Sequence, residues 1–258
     1  MYRAKSGGFT LIEMAIVLVV MGLAVSGIVT VGASIGTSAK YGETQRIMAK
    51  VQDALRVYVT QHGCLPCPAL GSEDPTASGT LAGLSRDTVG SYVTATTFCT
   101  SNTCLTNNGV VPYKTLGIGP QEYLDAWDSM FTYRIGAGLA ADNAMVRTPP
   151  STFPAGDITV VNARSTAILV TTEAAYVLVS HGGDGAFAFR QTGSQRPDVY
   201  GQTGSAGGQD ENRDGDATFA QGDEDALATV AHFDDLVVFE TAPLMIFRCG
   251  SGACGNPS

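Results

Sequence analysis

A chain of 258 residues with 24 acidic and 15 basic side chains carries a formal charge of −9. That balance argues against nucleic acid as a direct partner, because such binding draws its affinity from Lys and Arg neutralising phosphates. An apolar content of 44% with 31 glycines excludes a disordered chain and fits a globular body rich in strands and turns, in one large domain or two small ones.

The first eight residues, MYRAKSGG, are short and basic and end in two glycines. An apolar run follows, with no charge between Met14 and Ala39. About 20 apolar residues cross a bilayer, so the run is long enough to be a span. A secretory signal peptide would place its small-residue cleavage site after the apolar core. Here the glycines come before it, and cutting there leaves the apolar segment on the mature chain. Glu13, near the start of the run, is unexplained in an ordinary single-span anchor. A carboxylate at the centre of a membrane helix costs ~2.5 kcal/mol or more and persists with a partner. Gly22 and Gly27 interrupt the run; each costs ~1 kcal/mol against alanine in a helix, and they are expected to let the helix loosen once it leaves lipid.

Downstream, Ile47, Met48, Val51, Ala54, Leu55 and Tyr58 recur at helical spacing, with Lys50, Gln52, Asp53 and Arg56 on the other faces. Gly63, Pro66 and Pro68 then stop the helix. The pattern predicts one helix from about Phe9 to about Gln61, roughly 80 Å long. Its first half is bare and needs lipid or other copies of itself; its second half packs on a domain.

The body reads as short strands near 132–135, 158–161, 167–171, 175–180, 186–190 and 236–240, giving an α+β chain with an antiparallel sheet. The stretch AILVTTEAAYVLVSHG is expected to form a hairpin about a short polar turn. No internal repeat or long linker divides this region. Six cysteines fall in three close pairs, Cys64/Cys67, Cys99/Cys104 and Cys249/Cys254. An even count behind an export-type N-terminus favours disulfides and an oxidising compartment, with the connectivity open. Zinc needs a second CxxC or spaced histidines, and His62, His181 and His232 are not so spaced. No His follows Cys67, which removes covalent haem. CLPC lacks a thioredoxin-like setting and reads as structural.

The acidic run GGQDENRDGDATFAQGDEDA at 207–226 is the candidate for chemistry. Asp210, Asn212 and Asp214 alternate as in a calcium loop, with Gly215 next. Gln221 stands where the bidentate Glu would be, so the full motif fails; Asp216, Asp223, Glu224 and Asp225 are the residues that could complete a different Ca²⁺ site. The bland alternative is a solvated acidic turn. Asp234 and Asp235 are expected to cap backbone amides more than to join an ion site. Ser180, His181 and Asp184 lack the geometry of a hydrolase triad, since neighbours on a strand point to opposite faces. Trp127 is expected to be a core anchor between helix and sheet.

The junction GG-FTLIE, from Gly8 to Glu13, resembles the class III leader of type IV pilins and pseudopilins. That resemblance covers residues 7 to about 30. It implies cleavage after Gly8 by prepilin peptidase, N-methylation of the new N-terminal Phe9, and an assembly role for Glu13 as partner of the Phe9 amine. It implies residues 1–8 as leader, 9–62 as the long helix (9–35 transmembrane and filament core, 36–62 packed on the body) and 63–258 as a globular β-rich pilin domain. LPCPA, GVVPYKTLGI, DAWDSMFTYRI, LVSHGGDGA and FDDLVVFET resemble segments of long pilin-like proteins. By that likeness Cys67 pairs with Cys104 or Cys99, and Cys249 with Cys254. The function implied is a structural, non-enzymatic subunit, minor or specialised, of a type IV pilus-like filament. A type II secretion pseudopilin and a membrane-tethered adhesin or tip protein are the alternatives. The implied partners are other copies, other pilin subunits, the peptidase, an inner-membrane assembly platform and the membrane. The location is the bacterial inner membrane before assembly, then the periplasm and the cell surface.

Overall fold

A computed structural model describes residues 10–87, 98–99, 103–119, 122–146, 153–197, 208–213, 215–222, 233–249 and 254–255, the side chains of 23–35, 166, 208 and 209 excepted. The chain divides into two units, Met1–Gly42 and Glu43–Ser258.

In the first unit the described residues belong to helix α1, Leu11–His62, which runs without a break through Gly22 and Gly27. Its side chains are bare: Leu11 is 91% and Leu18 70% exposed. Among the described residues no helix is long and apolar enough to cross a membrane. The apolar run read from the sequence continues past Gly22, into side chains outside that description.

In the second unit the rest of α1 packs on a mixed sheet. The strands are β1 (Asn108–Val110), β2 (Thr132–Ile135), β3 (Ile158–Asn162), β4 (Ser165–Ser180), β5 (Thr218–Gln221) and β6 (Leu236–Thr241). Two short helices, α2 (Gly208–Glu211) and α3 (Ala242–Phe247), precede β5 and follow β6. The order is β1-β2-β4-β3-β5 with β6 also on β4, all pairs antiparallel except β3 with β5. Ile47, Met48, Val51, Leu55 and Val59 of α1 are buried against Tyr133, Ile135, Tyr176 and Leu178 of the sheet. Val177, Val179, Ile158, Phe219 and Val237 form a second cluster. Each such side chain contributes about 1.5–3 kcal/mol on leaving water.

The expected hairpin within 167–180 is instead one strand. Residues 171–175, TTEAA, contain no Gly, Pro or Asn to supply a turn, and threonine suits an extended backbone. Ala174 and Ala175 are fully buried, and β4 pairs with β3 before them and with β2 and β6 after them. Flanked on both edges, residues 174–179 bury both faces, which explains the unbroken apolar run AAYVLV. The strand expected at 186–190 is also replaced. Phe187 takes φ 64°, and the segment makes only isolated bridges, Ser129 with Arg190 and Phe189 with Gln195.

Three disulfides join Cys64 to Cys99, Cys67 to Cys104 and Cys249 to Cys254. The first two fasten the exit of α1 to the segment before β1. The third lies on the end of the helix, where the Gly255 N–H donates to Thr60 O at 2.9 Å. Gly63 and Gly255 both have positive φ there, and a Cβ on Gly63 would lie 2.9 Å from Cys254 O. Only glycine lets these two backbones meet.

Candidate functional site

Helix α1 begins with a reciprocal cap. Glu13 Oε2 accepts from the Thr10 N–H and from the Thr10 hydroxyl, both at 2.9 Å, and Thr10 Oγ1 accepts from the Glu13 N–H at 3.3 Å. This is a capping box, Thr-x-x-Glu, which satisfies donors that a helix start leaves unpaired. Gly8 and Phe9 lie outside the described residues. The box went unread in the sequence, although Thr10 three residues before a Glu and ahead of an apolar run is its signature. Beyond it Ile12, Met14, Ile16, Val17, Leu18, Val19, Val20 and Met21 are all exposed. This apolar surface is what the described residues of the first unit present.

The second unit holds its portion of α1 through a polar network as well as by packing. Thr44 is fully buried, and its hydroxyl accepts from the Ala126 N–H at 3.1 Å. Asp125 organises the adjoining turn: Oδ1 accepts from the amides of Trp127 and Ser129, each at 2.9 Å, and Oδ2 from the Ser180 hydroxyl at 2.7 Å. Burial raises the Asp125 pKa, and these three hydrogen bonds pull it back. Asp128 closes the turn at φ 61°. Trp127 itself is half-buried and stands outside the core clusters, so it is not the anchor expected. The Asp125 turn fixes that segment with backbone hydrogen bonds instead. Further along, Arg56 Nε donates to Glu240 Oε2 at 2.9 Å, and Glu240 is 2% exposed.

Ser180, His181 and Asp184 do not form a triad. Ser180 turns to Asp125, whereas His181 Nε2 faces Thr132 Oγ1 at 2.8 Å and Asp184 Oδ1 accepts from the Ala186 N–H. Asp234 caps the glycine turn, accepting from the amides of Gly183 at 2.6 Å and Asp184 at 3.1 Å. Gly182 is required beside it: φ is 58° and a Cβ would meet Asp234 O at 2.4 Å. His181 Nδ1 lies 3.9 Å from Asp235 Oδ1. Burial pushes Asp235 well up and His181 down to about 4, so His181 is neutral at pH 7. The sign for His181 follows: the unfolded chain takes a proton near pH 6.5, the folded one only near 4. Stability held above pH 6.5 is therefore lost as pH falls towards 4, by up to about 3 kcal/mol. As pH falls across that window the urea midpoint should drop more, or rise less, than in His181→Gln, because the raised Asp235 carboxyl acts in the opposite sense in both proteins; equal slopes for the two proteins refute the assignment.

The acidic loop is partly placed. Asp210 pairs with Arg213, Asp216 Oδ1 accepts from the Thr218 N–H at 2.6 Å, and Asp214, Asp223, Glu224 and Asp225 lie outside the described residues. Asn212 is buried and clamps β5: its Oδ1 accepts from the Ala220 N–H, and its Nδ2 donates to Ala220 O and to Asp235 Oδ2. Among the described residues no group of three His, Cys, Asp or Glu side chains is placed to hold a metal.

A helix with a bare apolar beginning, continued by residues that pack on a mixed, mainly antiparallel sheet, is an α+β fold of the type IV pilin kind. Residues 3–29 match the family described as the prokaryotic N-terminal methylation motif. That match is consistent with the class III prepilin leader of type IV pilin-like proteins. No curated protein and no solved structure matches the chain.

Proposed function

We propose that this chain is a minor or specialised structural subunit of a type IV pilus-like filament, cut after Gly8, methylated on Phe9 and assembled through α1. The observation that supports it is the run of exposed apolar side chains from Leu11 to Met21 in a chain that carries the methylation motif. Such a surface is stable in lipid or against other copies and not in water. Head-to-tail contacts between copies extend without closing, so one repeated interface makes a fibre. The size of the body, Glu43–Ser258, favours a specialised place over a bare shaft. Electron microscopy of sheared surface material, with mass spectrometry of its N-termini, tests the reading. The expected result is a methylated Phe9 in fibres at low stoichiometry. A chain that keeps Met1, or that never enters fibres, overturns it.

Calcium in the 207–226 loop belongs to the same proposal and is supported by the oxygen side chains at alternate positions 210, 212, 214 and 216. Binding would require Asp210 to leave Arg213, and Asn212 Oδ1 to leave Ala220. A ligand at a hundred times its Kd stabilises the folded state by ~2.7 kcal/mol. Millimolar Ca²⁺ should therefore raise the melting temperature by several degrees; no heat on titration and no shift removes calcium.

A further inference from the structure

Strand β4 has two different halves. From Ala174 to Ser180 it is flanked by β6, and over Tyr176–Val179 also by β2. Between Ser165 and Glu173 its one strand partner among the described residues is β3. Ile168, Leu169 and Val170 are 57%, 61% and 47% exposed. Consecutive strand residues point to opposite faces, so three in a row mean that both faces are bare as well as the outer edge. The segment STAILVTT has no charge and no proline, the usual protections of an edge. Register shifts in the β3–β4 ladder bend the strand, but they leave its outer edge without a strand partner among the described residues.

The ends of the segment indicate what covers it. Arg164 stands at one end and Glu173 at the other, both exposed. Neither side chain has an ion-pair partner among the described residues. A strand with a cation at one end, a carboxylate at the other and β-branched apolar residues between is complementary to its own reverse. In a chain of charge −9, this is also a place where two copies approach without repulsion.

We propose that the outer edge of β4 between Arg164 and Glu173 is a docking surface for the same edge of a second copy, running antiparallel. Each Arg164 then faces Glu173 of the second copy, and the two segments STAILVTT cover one another by strand addition. The contact is two-fold, so it cannot repeat along a head-to-tail fibre; it joins copies from two fibres or two unassembled copies. It is small beside the roughly 1,200 Å² of a standard stable interface, so it fills when copies are already concentrated. The pairing stands on β4 alone and does not need the filament reading.

All six native cysteines are in disulfides, so an introduced cysteine is the sole free thiol. In the full processed chain in detergent micelles, an equimolar mixture of Ile168→Cys and Leu169→Cys chains, whose positions 168 and 169 face one another across the two-fold, should give the mixed disulfide-linked dimer about tenfold faster than Phe247→Cys dimerises, a control at a site 79% exposed. Adding Glu173→Arg should slow the first reaction by roughly tenfold, since two attractive pairs become repulsive. Adding Arg164→Glu as well should restore it. Equal rates for the mixed 168/169 pair and the control, or no effect of the single charge reversal, or no rescue by the second, overturns the pairing. Fibre formation is scored separately: fibres absent while the dimer persists count against the filament reading alone.

Discussion

Glu13→Ala yields a chain that is cleaved after Gly8 and does not enter filaments. On the proposed reading the carboxylate has two roles, and their sizes differ. In the single chain it completes the capping box with Thr10, and losing a helix cap costs about 0.5–2 kcal/mol. That frays one turn and does not abolish assembly. The proposed cleavage after Gly8, however, would create an amine on Phe9, four residues before this carboxylate. In a dry helix bundle, removing one member of an ion pair strands the other, at about 3–5 kcal/mol. This is on the order of a hundredfold or more in the equilibrium for adding each subunit. Glu13→Gln separates the roles, because its amide oxygen still accepts from Thr10 but carries no charge. It should fail to assemble as Ala does, with the N-terminus correctly processed. Normal fibres from either variant would remove the ion-pair role and leave the cap as the only one.

Asp125→Ala should lower the stability of the Glu43–Ser258 unit by about 3–5 kcal/mol, measured by urea unfolding with the disulfides intact. The change strands the Ser180 hydroxyl and the amides of Trp127 and Ser129, in a site where Asp125 is 4% exposed. It also loosens the turn whose Ala126 N–H reaches Thr44 on α1, so the seat of the helix weakens with it. Asp125→Asn keeps an oxygen for the two amides and should cost about half as much. A loss below about 1 kcal/mol for Asp125→Ala would show that the turn is held by packing alone.

The helix was legible because its signals are local: a 3.6-residue apolar spacing from Ile47 to Tyr58, and a glycine with prolines to end it. The strands at 132–135, 158–161 and 236–240 were legible for the same reason, through β-branched and aromatic runs between turn residues. The single strand β4 was not, because TTEAA favours neither turn nor strand strongly by itself. Its conformation is decided by β3 on one half and by β2 and β6 on the other. Helix α3 was missed as well, although Thr241 at its N-cap and a proline in its first turn mark its start. Strand β5 hid inside an acidic stretch; Asn212 holds it from a distance of eight residues.

Residues near one another in the chain were enough to settle the methylation motif at residues 3–29 and the apolar half of α1, since both signals act over a few residues. Tertiary structure alone decided which of Cys99 and Cys104 meets Cys67, which acid gathers the turn that seats the helix, and why Ser180 and His181 part company. Those outcomes depend on elements brought together from far along the chain. There, burial makes an unpaired polar group costly, so one set of partners is selected from several that the local sequence allows.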